Sequence, residues 1–261
     1  MTVQLDRAGQ VGLVRLDRPE VRNAVDRVTA DALREAIATL DDDEDLAAIV
    51  VTGRGGTFCA GADLHTMDDP VRRNRLERST TAPLGPTRTV TRLPTIAAVE
   101  GHAVAGGLEL ALWCDLRVVA EDAILGVFCR RVGVPLIDGG TARLPRIVGL
   151  GVALDLVLTG RAVDAAEAAR IGLANRVVAP GTAEAAAIEL GNELARWPRR
   201  TLLSDLAATR AAFDRPLPEA LLHEHDLGVA SLAAGGAEVG VRAFRAGAGR
   251  HGRDDDLPSA P

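Results

Sequence analysis

An α/β fold is what this sequence predicts, on three observations. Runs rich in Val, Ile and Ala alternate with segments of helical apolar spacing through most of the chain, the pattern of parallel strands with helices packed outside. From about Leu194 onward the pattern is helical only. And 261 residues, 47% of them hydrophobic, suffice to bury a large core in one substantial domain, or in one domain with a smaller appendage. The expected division is a core over residues 1–195 and a helical region over 196–261.

The elements follow in order. VGLVRL (Val11–Leu16) reads as a strand after an AGQ turn, and DRPEVRNA as a loop. From about Thr29 to Leu40, the apolar positions Ala32, Leu33, Ala36, Ile37 and Leu40 have the spacing of an amphipathic helix. The acidic run DDDED closes it as a solvated turn. LAAIVVTG is a buried strand, and it feeds the glycine-rich GRGGTFCAGADL. The segment Asp69–Arg92 is polar, broken by proline and rich in arginine; it is expected to be mobile at its start and helical in places. TIAAVEG (Thr95–Gly101) is a strand, AGGLEL opens a helix, and LRVVA is a short strand. RRVGVPLIDGGTARLPRIVG is a loop leading into a helix, and LDLVLTG with AAEAARIGLANRVV gives helix, helix, strand. Trp197–Pro198, Pro216 and Pro218 punctuate the C-terminal helices, and HGRDDDLPSAP is a frayed tail.

Composition excludes several function classes. A net charge of −6, with no basic stripe interleaved with aromatics, gives no nucleic-acid footprint. Cys59, Cys114 and Cys129 form no CxxC pair, and the five histidines share no ligand spacing, so neither a disulfide framework nor a metal site is expected. No apolar stretch reaches the roughly 18 residues of a membrane span. MTVQLDRAGQ lacks the basic start and apolar core of a signal peptide, so the expected location is cytoplasmic, with no membrane partner. All 30 basic residues are arginine, which with abundant Ala and Gly reads as codon bias.

Chemistry concentrates in two glycine-bearing turns. Gly106 and Gly107 stand between a strand and an apolar helix, where backbone can approach a ligand and first-turn N–H groups lack intrahelical acceptors. Such an N–H, aided by the helix dipole, can hold an anion or a polarised carbonyl oxygen; the alternative is a turn that glycine merely eases. GRGGTFCAGADL offers a second turn of the same kind, and two N–H groups on one oxygen make an oxyanion hole, where one donor is worth about 3 kcal/mol. Neither loop matches a P-loop or a dinucleotide fingerprint. Glu109, one turn beyond Gly106, is the single carboxylate of LELALWC. In an apolar pocket it would titrate near neutrality and suit proton transfer; otherwise it complements the helix dipole, paired with an arginine.

On these residues the chain resembles the crotonase (enoyl-CoA hydratase/isomerase) superfamily. The matching segments, in order, are DRPEVRNAV, IVVTGRGGTFCAGADL, PTIAAVEGHAVAGGLELALWCDLRVVAEDA, VGVPLIDGGTARLPRIVG, LTGRAVDAAEAARIGLANRVV and VRAF. The resemblance implies a crotonase-like spiral of ββα turns with a C-terminal helical trimerisation region. It implies a coenzyme A thioester as substrate, no cofactor besides the coenzyme A of that substrate, and a homotrimer or dimer of trimers. It puts the oxyanion hole on the N–H groups of Ala62 and Gly106, coenzyme A contacts on Arg22, Ala24, Ala60, Asp63 and Leu64, and the water-activating glutamate on Glu109.

One departure bears on the chemistry. Hydratases carry a second glutamate in a PE pair, and that position falls here on Cys129, with Phe128 for the proline. A buried thiol is a poor proton donor near neutral pH. Asp138, in LIDGG, lies on the loop where some relatives carry a catalytic acid, although the ungapped register is off by one residue. It reads either as the second acid or as an Asx-type turn or N-cap before GGTARL. Cys129 is expected to be buried, His65 to lie on a surface loop, and His102 to be structural. The resemblance thus implies a lyase that adds water to an acyl-CoA thioester or removes it, with isomerase, decarboxylase, hydrolase or mere ester binding as alternatives.

Overall fold

The computed structural model describes residues 1–235 and 237–248. The tail HGRDDDLPSAP lies outside the described residues. The chain opens on β1 (Val3–Ala8), which pairs antiparallel with β2 (Val11–Leu16). β1 escapes the sequence reading because Gln4, Asp6 and Arg7 break its apolar content; it is the sheet's edge strand, where charge is tolerated. Helix α1 (Arg27–Asp42) starts where the Asp26 side chain accepts the Thr29 N–H at 2.9 Å, and buries Leu33, Ala36, Ile37 and Leu40 as its spacing predicts.

The next elements are β3 (Ala48–Gly53), β4 (Thr95–Val99), β5 (His102–Val104), α2 (Gly106–Trp113), β6 (Leu116–Ala120) and β7 (Ile124–Gly126). After them come α3 (Gly140–Val148), α4 (Leu150–Thr159), β8 (Ala162–Asp164), α5 (Ala165–Arg170), β9 (Arg176–Val178) and α6 (Ala183–Ala195). The larger sheet runs β1-β2-β3-β4-β6-β9, parallel from β2 onward; the smaller runs β5-β7-β8. β4 belongs to the large sheet and β5 to the small one, and the pair leads into α2; β6 and β7 repeat the step. That repetition is the predicted spiral. The three-residue strands β5, β7 and β8 are too short to show a period of two in sequence.

Alternation along β3 explains the layers. Ile49 and Val51 face a core shared with α1 and α2, whereas Ala48 and Val50 face α6 through Ala183, Ala187 and Leu190. With both faces covered, the strand reads as one continuous apolar run. Asp69–Arg92 forms no α-helix, against expectation: Pro70, Pro83 and Pro86 remove backbone donors, and a single-turn 3-10 helix at Pro86–Arg88 is its only helical piece. Its second half is a buried strap, with Ala82, Leu84 and Thr87 each at most 2% exposed.

The C-terminal helices α7 (Arg199–Ala211), α8 (Leu217–Ala233) and α9 (Glu238–Ala246) contain no buried residue. Arg210 ties α7 to the core through Asp115 (2.5 Å), Thr91 and Leu93. Leu217, Leu221, Leu222, Leu232, Val239 and Phe244 stand exposed. Among the described residues no single helix is long and apolar enough to cross a membrane.

Candidate active site

The glycine-rich loop after β3 is laid against β5. The Cys59 N–H donates to the His102 carbonyl at 2.9 Å, and the Val104 N–H to the Cys59 carbonyl at 3.1 Å. This pairing brings the two glycine-bearing turns together. A Cβ on Gly61 would lie 2.7 Å from the Gly106 nitrogen, and one on Gly107 would lie 2.0 Å from the Cys59 carbonyl oxygen, so only glycine permits the approach. Between them Ala105 adopts φ 54°, ψ −126°, a conformation strained for any residue with a Cβ. Its N–H is held by the Gly126 carbonyl at 2.9 Å, and the twist aims the next amide, that of Gly106. Val25 takes up the Gly61 carbonyl and the Asp63 N–H, at 2.8 and 3.0 Å, and skips the residue between. Among the described residues neither the Ala62 nor the Gly106 N–H has an acceptor.

Glu109 lies on the first full turn of α2 and is 3% exposed. Its Oε1 accepts the backbone N–H groups of Asp138 and Gly140, both at 2.8 Å, and no side chain among the described residues donates to it. The arginine partner of the dipole reading is therefore not there. Burial pushes the Glu109 carboxyl up to about 7, reinforced by the charge of Asp138 and opposed by the amides of Gly140, Asp138 and Ile137. A Cβ on Gly140 would sit 3.0 Å from Glu109 Cγ, which is why the GG pair precedes α3.

Asp138 is equally buried. Its Oδ1 accepts the Leu84 N–H at 3.0 Å and the Thr87 hydroxyl at 2.5 Å. It is not the N-cap of α3: that position is Gly139, with no side-chain cap. Burial raises the Asp138 carboxyl, against the downward pull of Thr87, Leu84, Arg88 and Arg143. Cys129 is 6% exposed, and burial together with the nearby Glu109 charge pushes its thiol up, away from the reactive thiolate.

The predicted coenzyme A positions come together around the first turn, with Ala24 and Asp63 buried. The Ala60 N–H donates to the Arg22 carbonyl at 3.0 Å, and Val25 bridges to Ala62, which places Arg22, Ala24, Ala60, Asp63 and Leu64 along one seam. Arg22 and Leu64 are exposed, while Asp63 turns inward to Arg18 at 2.8 Å. Arg18 also donates to the Ala24 carbonyl at 2.6 Å and lies 3.7 Å from Asp26. Sequence reasoning missed Arg18, Leu84 and Thr87, because their partners lie 45 to 54 residues away and no local pattern announces them. His65 is exposed, as expected of a loop position.

Two sheets joined by repeated strand pairs form an α/β spiral, with acceptor-free amides on adjoining turns and a buried carboxylate one helical turn away. The chain belongs to the enoyl-CoA hydratase/isomerase family, whose pattern matches residues 6–246. It is 36% identical over 243 residues to a probable enoyl-CoA hydratase of Mycobacterium tuberculosis, covering 93% of this chain and 94% of the relative. A short-chain-enoyl-CoA hydratase of Clostridium acetobutylicum is 36% identical over 198 residues, 74% of each chain. The crystal structure of an enoyl-CoA hydratase from Mycobacterium marinum superposes with a TM-score of 0.88 at 30% identity, covering 94% of this chain and 96% of that one.

Proposed function

We propose that this enzyme is an enoyl-CoA hydratase-like lyase, adding water to an acyl-CoA thioester or removing it. The observation that carries the reading is the pair of acceptor-free amides on adjoining turns, Ala62 and Gly106, beside a carboxylate that titrates near neutrality. The two N–H groups hold the thioester oxygen and stabilise the enolate, in a water-poor setting where each donor counts for about 3 kcal/mol. Glu109, kept in one orientation by the Asp138 and Gly140 amides, takes a proton from water as its oxygen attacks Cβ. Asp138 delivers the proton to Cα. Its Oδ1 is committed to the strap, and its Oδ2, which has no hydrogen-bond partner among the described residues, is the atom left to serve. Coenzyme A runs along the Arg22–Ala24 and Ala60–Leu64 seam, with Asp63 bracing the loop from inside through Arg18. The exposed apolar face of α8 and α9 supports assembly as a homotrimer or dimer of trimers, which the molar mass in solution tests.

A second reading, isomerisation, decarboxylation or hydrolysis of an unusual acyl-CoA, is favoured by Cys129 at the second-glutamate position. One assay series separates them. Purified protein is incubated with enoyl-CoA esters of graded length, and hydration, isomerisation and hydrolysis are followed for wild type, Glu109→Gln and Asp138→Asn. Hydration lost in both variants supports the lyase. Hydration absent in wild type, with another product formed, overturns it, and binding without any product leaves a CoA-ester binding protein.

A further inference from the structure

Beside the Asp138 loop is a pocket of about 440 Å³ that the proposed reaction does not use. Its lining includes Thr87, Arg88, Leu136, Thr141, Arg143 and Arg146, and no carboxylate. Three guanidinium groups thus face one space. Arg143 is fixed by donating to the Asp138 and Thr87 carbonyls at 2.9 and 2.7 Å. Arg88 is fixed in the same way, by the carbonyls of Ser79 (2.9 Å), Thr81 and Ile137 (3.2 Å). Carbonyls orient a guanidinium without cancelling its charge, and the Asp138 and Glu109 carboxyls behind the pocket, both raised by burial, offset only part of that field. Among the described residues only Arg146 of the three forms an ion pair, with Asp214 at 3.2 Å, in a solvent-exposed contact that contributes little neutralisation. The first turn of α3 also borders this wall, although its leading N–H, that of Gly140, is already taken by Glu109. Burial presses against the Arg143 cation, and the nearby Glu109, Cys114 and Asp138 offset only part of that cost, leaving a penalty that a bound anion would relieve.

The pocket is also close to the reaction. A Cβ on Gly140 would meet Glu109 Cγ at 3.0 Å and Leu136 Cδ1 at 3.2 Å, and Leu136 lines the pocket. Leu136 and Glu109 thus adjoin the same glycine from the pocket side and the helix side. We propose that this pocket is an oxyanion site that takes a carboxylate or phosphate group. The anion has two possible sources. One is a carboxylate at the far end of the acyl chain, which rests on the acyl-CoA reading above and makes the pocket a specificity determinant. The other is a free phosphate-type anion.

The test compares two enoyl-CoA thioesters of equal chain length, one ending in a carboxylate and one in a methyl group. Both are assayed with wild type and with the Arg88→Gln/Arg146→Gln double variant, and inorganic phosphate is titrated calorimetrically into each protein. The ratio of kcat/KM for the two thioesters is the readout, since any general loss of activity cancels in it. A carboxylate preference of about tenfold or more in wild type, collapsing toward one in the double variant, establishes the acyl-chain source. Equal kcat/KM values, with phosphate binding that the double variant loses, establish the free-anion source. No preference and no phosphate binding overturn the proposal. Should neither thioester turn over, the ratio of their calorimetric Kd values carries the same comparison, so a failure of the lyase reading stays distinguishable from a failure of the pocket.

Discussion

The first turn of α2 and the Ile137–Gly140 segment each carry one buried carboxylate, yet they hold it differently. Glu109 is gripped by main-chain amides alone, which belong to the loop opposite. Asp138 is gripped by the strap, through the Leu84 amide and the Thr87 hydroxyl. Backbone donors cannot rotate away or be mutated away, so the orientation of Glu109 is set by the fold. The hold on Asp138 depends on one side chain, and the strap depends on Asp138 in return. Leu84, whose amide Asp138 accepts, also lies over the second glycine turn: its Cδ1 would be 2.4 Å from a Cβ on Gly106. The second carboxylate therefore reaches the Gly106 turn through the strap, whereas the first is joined to it along the first turn of α2.

The largest effect expected is on catalysis. Glu109→Gln keeps an acceptor for the Asp138 and Gly140 amides but no base, and should lower kcat for hydration by about 10²–10⁴, with the circular dichroism spectrum unchanged. In wild type the rising limb of the pH–rate profile should lie near 7, where Glu109 ionises, with a falling limb where Asp138 gives up its proton; a profile without the rising limb would remove Glu109 as the base. The same residue should next show in stability. Its carboxyl is raised in the fold from 4.5 to about 7, so the folded state holds its proton longer than the unfolded chain does. Wild type accordingly loses stability as pH climbs through that window. Glu109→Gln does not, and should become the more stable protein above pH 7 by up to about 3 kcal/mol in denaturant titrations, with the gap absent near pH 4.

Breaking the other half of the comparison should cost less. Thr87→Val strips the hydroxyl from Asp138 and should destabilise by about 1–3 kcal/mol. It should also move the Asp138 limb of the pH–rate profile upward, because Thr87 is the largest influence holding that carboxyl down. Thr87→Ser should restore both; if Val and Ser behave alike, the hydroxyl does not position Asp138. The smallest effect belongs to Cys129→Ala. A protonated, buried thiol contributes no proton transfer, so kcat should stay within about twofold of wild type. A drop of an order of magnitude would bring the thiol into the chemistry.

How much of this was legible varies with distance along the chain. α1 reads correctly because its i, i+3, i+4 positions face one core, and β3 because both its faces are covered. Glu109 stands out as the one charge in an apolar helix, and the glycines before it as a turn. Asp138 stayed ambiguous between acid and cap, since the loop's own residues fit either; the deciding atoms, on Leu84 and Thr87, come from a strap that reads as featureless polar sequence. Arg18 was invisible for the same reason, its partner Asp63 being 45 residues away.

By itself, then, the chain's pattern of apolar periods and glycines determined the layers, the two turns and the buried glutamate, because each is a local consequence of side-chain spacing or of a missing Cβ. Only the tertiary structure decided which amides lack acceptors, how far burial lifts Glu109, and that three arginines line one pocket. Those are properties of groups brought together from separate segments, and no single segment encodes its neighbours' charge or solvent access.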